Sequence, residues 1–207
     1  MELLRAGLYW PEFTDAPVWV AYASDQLIKQ IEVQVYPDGA YKELSGDYHR
    51  VALNSFQRAA SVFKEHRLDA PPDFLVALEG MWDYLAHTMR PDGFGLLNND
   101  GDRVYVASRV RRAAQMYRRD DWLHIATNGE QAKAELVAPS RFFPWAGHLV
   151  SRNDFSATAH WSFFDVGPWG TSHQHNDKLH LSVSAYGRDL LVDTGRFAYD
   201  GELGRKY

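Results

Sequence analysis

The sequence predicts an α+β fold in which a helical part is followed by the start of an antiparallel β part. From residue 18 to about residue 119, apolar side chains recur at helical spacing, and Gly and Pro fall between the segments. After about residue 134, short aromatic or β-branched runs are separated by Gly, Pro, Asn or Asp, which is typical of strands. We therefore divide the chain into a helical part, 1–135, and an incomplete β part, 136–207.

Four helices are predicted within the helical part. The first follows Asp47, whose carboxylate can cap a helix N-terminus. The second opens at Pro71-Pro72 and stops at Pro91, because proline is tolerated in the first turn of a helix and not in its interior. Further helices are predicted over 106–117 and 122–126.

The β part is predicted to contain strands over 142–151, 157–165, 179–186 and 190–192. Leu181 and Val183 alternate with serines, so the apolar and polar side chains point to opposite faces. The last two strands are predicted to form a hairpin that turns at 186–189. Because a few strands with open edges make a marginal sheet, we expect this chain to be a fragment of a longer protein; the alternative is a short complete protein whose helices cover the sheet.

Composition excludes several classes of function. The 207 residues carry a formal charge of −5, which argues against a protein that binds duplex nucleic acid through a broad basic face. No run reaches the roughly 18 apolar residues of a membrane span, and the N-terminus lacks the pattern of a signal peptide. The absence of cysteine leaves His, Asp and Glu as metal ligands.

Three of the 9 histidines fall between residues 173 and 180. In a strand, His173 and His175 would point to the same face. Asp193 ends the following strand, and the predicted hairpin brings it beside His175. Imidazole and carboxylate are ligands that zinc prefers, so His175 and Asp193 are predicted as two legs of a metal site. The alternative is a hydrogen-bonded histidine pair with an Asp that caps a turn.

A second polar segment lies at 36–49. Its Pro-Asp-Gly sequence predicts a tight turn, and Ser45 or Asp47 is predicted to cap the next helix. Glu43 and Tyr48 then lie near a helix N-terminus, where the helix dipole favours anions such as a uronate carboxylate. A purely structural role accounts for the turn and the cap equally well.

Three spaced motifs resemble a known family. They are DGxxxExSxxYH over 38–49, HxHxD over 173–177 and LVDxGxxxY over 191–199. Their order and spacing are similar to those of the heparinase II/III-like polysaccharide lyases, which include some alginate lyases. The resemblance implies that the helical part is the end of an (α/α) toroid and that the β part begins an antiparallel β-sandwich, with the substrate cleft between them.

The resemblance also implies a reaction and roles for particular residues. These lyases cleave 4-linked uronic acid residues by β-elimination, in which the C5 proton is removed and the leaving oxygen at C4 is protonated. Tyr48 matches the toroid tyrosine that acts as base or acid, His173 a histidine that faces the substrate, and Tyr199 a second tyrosine. His175 and Asp193 match two ligands of a structural metal ion, expected to be zinc.

The implied partner is an acidic polysaccharide, and family members are commonly exported, so a periplasmic or secreted location is expected. The family's third metal ligand and its upstream Asn or His find no match in these 207 residues. We therefore expect the isolated chain to be weakly active or inactive and to bind metal poorly.

Two other interpretations remain open at this point. The spacing of His173, His175 and His180 resembles a cupin metal motif in which His180 replaces the usual Glu. That interpretation predicts a metal enzyme on a β-barrel. A non-catalytic glycan-binding module, whose aromatic side chains stack on sugars, is the third possibility.

Overall fold

The helical part comes first along the chain, as predicted. The computed structural model describes residues 1–132, 138–176 and 178–196, and the predicted boundary at 135/136 lies outside them. Within the described residues the helices are α1 (Glu2–Tyr9), α2 (Ala16–Gln34), α3 (Gly46–Glu65), α4 (Pro72–Thr88), α5 (Ala107–Tyr117) and α6 (Asp120–Ala126). Helix α1 was not predicted, whereas α3 to α6 were.

A single apolar core joins these helices. Phe56 and Phe63 of α3 face Phe74 at the start of α4, with ring centroids 6.2 and 5.9 Å from that of Phe74. Trp122 of α6 is also fully buried. Burial of each such side chain contributes on the order of 1.5–3 kcal/mol, so packing between helices, rather than helix propensity, stabilises this part.

The start of α3 differs from the prediction. Ser45 occupies the N-cap position but makes no capping hydrogen bond with its side chain. The Asp47 carboxylate instead accepts a hydrogen bond from the Arg50 guanidinium at 2.8 Å. The Gly46 backbone N–H donates to Asn98 Oδ1 at 2.8 Å, so an amide from a distant loop satisfies the helix terminus.

The β part is one antiparallel sheet in the order β1-β2-β3-β4-β5. Its strands are β1 (Arg141–Phe143), β2 (His148–Arg152), β3 (Trp161–Asp165), β4 (Leu181–Ala185) and β5 (Arg188–Leu191). The single strand predicted over 142–151 is a hairpin. Its turn needs Gly147, because a side chain there would collide with the backbone of Gly167.

The hairpin between β4 and β5 turns at Tyr186-Gly187 rather than over four residues. Both have positive φ, 55° and 69°, as a two-residue turn of type I′ requires. The alternation along β4 is confirmed, but the serine face is the buried one. Ser182 and Ser184 are buried, whereas Leu181 is 38% exposed. Ser184 Oγ accepts a hydrogen bond at 3.3 Å from the guanidinium of Arg90, which follows α4, whereas Ser182 Oγ contacts His180 Nε2 at 2.8 Å.

Polar contacts hold the sheet against the C-terminus of α4. The Arg152 guanidinium of β2 donates to the backbone carbonyls of His87 and Met89 at 2.9 and 2.8 Å. The Tyr84 hydroxyl of α4 and His148 Nδ1 of β2 are 2.8 Å apart. These contacts fix β2 on α4 and therefore fix where the loops beside the sheet meet the start of α3. No helix among the described residues has the length and apolarity to cross a bilayer.

The stability of this arrangement is expected to fall in mild acid. Burial of the ring lowers the pKa of His49 to about 4, against the opposing effect of its contact with the Met81 carbonyl at 2.9 Å. Nδ1 of the same ring accepts the Tyr41 N–H at 3.2 Å. In the unfolded chain the pKa is near 6.5, so between pH 6.5 and 4 the unfolded state takes up the proton first. His87, whose pKa burial also lowers to about 4, acts in the same direction.

Urea unfolding measured across this window checks the expectation. The free energy of unfolding should be constant above about pH 6.5 and should fall by about 3 kcal/mol per buried histidine as the pH approaches 4. Exchange of the exposed His160 for Gln should leave the fall in the free energy of unfolding between pH 6.5 and 4 unchanged. A free energy of unfolding that does not vary with pH over this range would contradict the assignment of buried, neutral rings.

Candidate active site

Three segments that are distant in sequence meet at the edge between the helices and the sheet. They are the turn at 41–48 before and within α3, the loop at 98–101, and the loop at 166–176 before β4. The Thr171 N–H donates to the Lys42 carbonyl at 3.2 Å, and the Asp100 N–H donates to the His173 carbonyl at 3.1 Å. Gly170 lies so close to the Glu43 carbonyl that a Cβ there would be 2.6 Å from its oxygen.

Tyr48 and His173 lie face to face in this junction. Their ring centroids are 3.6 Å apart and the ring planes differ by 12°, so the phenol and the imidazole are stacked. Tyr48 is carried by the first turn of α3 and His173 by the loop before β4. The structure thus brings together one candidate side chain from the helical part and one from the β part.

The conformation predicted for the histidine segment is wrong. His173 has a φ of 53° and lies in a loop rather than in a strand, so it does not share a strand face with His175. His173 Nδ1 is 2.9 Å from Glu43 Oε2, whereas His175 Nε2 is 3.0 Å from Asp100 Oδ1. The run of polar residues without β-branched side chains forms no ladder, and each ring contacts a different carboxylate.

Asn99 connects Asp193 to the backbone of His175. Asp193 is buried, and its carboxylate accepts the N–H of Asn99 at 2.9 Å and that of Gly195 at 2.7 Å. The His175 N–H in turn donates to Asn99 Oδ1 at 2.9 Å. The donor types suit zinc, but in the described part of the chain His175 and Asp193 belong to no group of three ligand atoms within 4.8 Å of one another.

The described residues do contain one such group elsewhere, formed by Asp83, His87 and Asp121. It lines a cleft of about 460 Å³. The Arg119 guanidinium donates to Asp83 at 3.0 Å and to Asp121 at 2.5 Å, and Arg141 donates to the second Asp83 oxygen at 3.1 Å. Since arginines already neutralise these carboxylates, the cluster is a network of ion pairs that joins α4 to α6 and β1.

The histidines of the cupin interpretation contact different partners. His180 Nε2 contacts Ser182 Oγ at 2.8 Å, so the three histidines of the cupin interpretation have three different partners and form no common ligand set. Tyr199 and the Asp177 of the second motif lie outside the described residues.

The loop at 98–101 has a larger part in the site than its sequence indicated. Asn98 and Asn99 each donate a side-chain amide to the Leu44 carbonyl, at 2.8 and 3.0 Å, and both asparagines are buried. Asp100 contacts His175. The sequence Asn-Asn-Asp-Gly is typical of an ordinary connection between helices. Its burial is the signal of a supporting role, and burial is not visible in the sequence.

Comparison with known proteins decides the family. Residues 1–124 match the family model of the heparinase II/III N-terminus, and residues 135–207 match that of the heparinase II/III-like C-terminal region. The chain belongs to the heparinase II/III family. This membership confirms the resemblance found in the sequence, identifies the family as one of polysaccharide lyases, and replaces the cupin interpretation.

Curated members of the heparinase II/III family cover nearly all of this chain. The heparin-sulfate lyase of Bacteroides stercoris is 28% identical over an alignment of 208 positions that covers 97% of this chain and 31% of the relative. The heparin-sulfate lyase of Pedobacter heparinus is 28% identical over an alignment of 205 positions that covers 96% of this chain and 31% of the relative. The chain therefore spans about a third of the length of the relatives that it matches.

Solved structures agree with the fold. The heparan sulfate lyase of Pedobacter heparinus superposes with a TM-score of 0.82 at 27% identity, covering 97% of this chain and 32% of that one. A heparinase III structure gives a TM-score of 0.83 at 27% identity, with 97% and 32% covered. The predicted α+β class, the end of a helical domain followed by the start of an antiparallel β domain, is confirmed.

Proposed function

We propose that this chain carries part of the active site of a lyase that cleaves uronic-acid-containing glycans by β-elimination. The observation that carries the proposal is the stacked pair of Tyr48 and His173 at the junction of the helices and the sheet. A phenol and an imidazole side by side supply two groups that can transfer protons within reach of one sugar. The family membership and the names of the relatives support the same reaction class.

The reaction requires the removal of a proton from C5 and the transfer of a proton to the leaving oxygen on C4. The C5–H bond breaks, its electron pair forms the C4=C5 double bond, and the C4–O bond breaks while the leaving oxygen takes up a proton. The C5 proton is weakly acidic beside a charged carboxylate, so the enzyme must also stabilise the negative charge that develops on that carboxylate. Tyr48 and His173 are proposed as the two side chains that exchange protons with C5 and the leaving oxygen.

The proposed substrate is an acidic polysaccharide, and two lysines close in sequence to the residues of the site suit that class. The overall charge of −5 means that an anionic chain must meet local positive charge. Lys42 Nζ lies 5.5 Å from the centroid of the Tyr36 ring, and Lys178 Nζ lies 5.0 Å from the centroid of the Trp169 ring. Lys42 belongs to the turn at 41–48, Lys178 follows the loop at 166–176, and their aromatic neighbours offer faces for a sugar ring.

The test of the proposed function is the formation of unsaturated uronate, which absorbs in the ultraviolet. Heparan sulfate and alginate are supplied separately to the protein as its gene encodes it and to the 207-residue chain. Absorbance that grows with time, together with an unsaturated uronate at the new chain end by mass spectrometry, supports β-elimination. Binding of the glycans without any product would instead favour the glycan-binding module.

We also propose a structural zinc ion with His175 and Asp193 as two of its ligands. The ion would hold the loop that carries His173 in place. In the described structure Asp193 accepts two backbone N–H groups and His175 faces Asp100. Because His175 Nε2 already contacts Asp100, and no third donor among the described residues converges on His175 and Asp193, we expect the 207-residue chain to retain far less than one zinc per chain after desalting, as measured by elemental analysis. Stoichiometric zinc that is lost on replacement of His175 by Ala would contradict the expected weak binding.

A further inference from the structure

We propose that Glu43 is a positioning residue for His173: its carboxylate holds the proton on Nδ1 and the ring parallel to Tyr48. This inference rests on the proposed function for its consequence in catalysis. The contact itself joins positions 130 apart in sequence, with Glu43 Oε2 2.9 Å from His173 Nδ1.

Glu43 is held on both of its oxygens. Oε1 accepts a hydrogen bond from the Tyr41 hydroxyl at 3.3 Å, while Oε2 faces His173. Burial and the nearby carboxylate raise the pKa of Tyr41 to about 12, so the phenol stays a donor at neutral pH. The side chains of Glu43 and His173 are 17% and 29% exposed, which shields the contact from much of the solvent.

The backbone around the contact leaves little freedom for it to move. The close approach of Gly170 to the Glu43 carbonyl and the bond from Thr171 N–H to the Lys42 carbonyl fix the loop on the turn before α3. The bond from Asp100 N–H to the His173 carbonyl fixes the backbone of His173 on its other side. These contacts hold the backbone of His173, and the contact of Nδ1 with the Glu43 carboxylate then sets the orientation of its ring.

The contact determines which nitrogen of His173 carries the proton. An ionised carboxylate only accepts hydrogen bonds, so Nδ1 must be the protonated nitrogen. In the neutral ring the lone pair then lies on Nε2, and Nε2 is the atom that exchanges a proton with the substrate. Carboxylates that orient metal-binding histidines in this way contribute about 10- to 100-fold to metal affinity or activity, and we expect an effect of similar size here.

The first arm of the test reads the tautomer without any substrate. Nitrogen-15 NMR of the His173 ring is recorded for the 207-residue chain at about pH 8.5, well above the ordinary histidine pKa of about 6.5. We expect the Nδ1–H form in the parent chain and a shift toward the Nε2–H form in Glu43→Ala. An Nε2–H form in the parent, or an unchanged spectrum in the variant, would overturn the proposal.

The second arm reads catalysis in the protein as its gene encodes it. We expect Glu43→Ala to lower kcat by about 10- to 100-fold with KM changed less than about twofold, and Glu43→Gln, which keeps an acceptor oxygen, to lose less. Glu32→Gln, an exposed change on α2, is the matched control. An unchanged kcat, or a loss confined to KM, would show that Glu43 does not act through His173.

The two arms separate this inference from the proposed function. If the parent protein makes no unsaturated product from any uronate glycan, the proposed function fails, and the tautomer still decides whether Glu43 positions His173. If Glu43→Ala does not fold, as judged by circular dichroism, Glu43→Leu supplies both readings, because it keeps much of the bulk of the side chain but has no acceptor oxygen for Nδ1–H.

Discussion

Replacement of Tyr48 by Phe is expected to lower the rate of uronate elimination by about 10²- to 10⁴-fold. The change removes only the hydroxyl, and the remaining ring can still stack on His173. In the parent chain the centroids of the two rings are 3.6 Å apart. The loss should therefore appear in kcat, with KM nearly unchanged. The measurement is the initial rate of ultraviolet absorbance with a uronate glycan at saturating and at low concentration.

A chemically identical change provides the control. Tyr22 of α2 is 59% exposed, and Tyr22→Phe should leave both kcat and KM as in the parent. Equal unfolding temperatures for the parent and both variants would establish that the fold is intact. Undiminished turnover in Tyr48→Phe would remove the phenol from the mechanism and leave His173 without its proposed partner.

Replacement of Arg152 by Met is expected to be the most destabilising change outside the apolar core. The guanidinium is buried, donates to two carbonyls at the end of α4, and lies 5.2 Å from the centroid of the Phe155 ring. Burial lowers its pKa to about 10, which leaves it charged at neutral pH. Hydrogen bonds to charged groups contribute about 1.5–3 kcal/mol, and methionine would leave both carbonyls without this donor, so we expect a loss of about 2–4 kcal/mol.

Urea unfolding at neutral pH measures this loss, and an exposed arginine supplies the comparison. Arg112→Met on α5 makes the same chemical change at the surface and should alter the free energy of unfolding by less than about 0.5 kcal/mol. If Arg152→Met proved as stable as Arg112→Met, the two carbonyl contacts would not be what joins β2 to α4.

The helices were predictable because their start signals and apolar spacing are local. Pro72 opens α4, and the apolar face of α3 follows a regular helical period. The acceptor for the first N–H group of α3 was not predictable, because the Gly46 N–H donates to Asn98, which lies 52 positions away in sequence. The hairpin within 142–151 was missed because aromatic residues continue into the turn, although Pro144 and Gly147 mark the reversal.

The site was predicted in part. The positions of Tyr48 and His173 came from the family's motifs, and neither helical nor strand periodicity would have placed the two rings 3.6 Å apart. The shared strand face considered for His173 and His175 does not form, because alternation alone does not make a ladder; the polar loop is held by side chains from Asn99 and Glu43 instead. Such contacts depend on the packing of two layers, which no local pattern records.

The measurement that tests the account most directly is a crystal structure of the Tyr48→Phe variant, in the protein as its gene encodes it, with a short uronate-containing oligosaccharide. We predict that C5 of one uronate lies against the rings of residue 48 and His173, with His173 Nδ1 still on Glu43. An oligosaccharide bound on another surface, with both rings far from any C5, would contradict the proposed elimination.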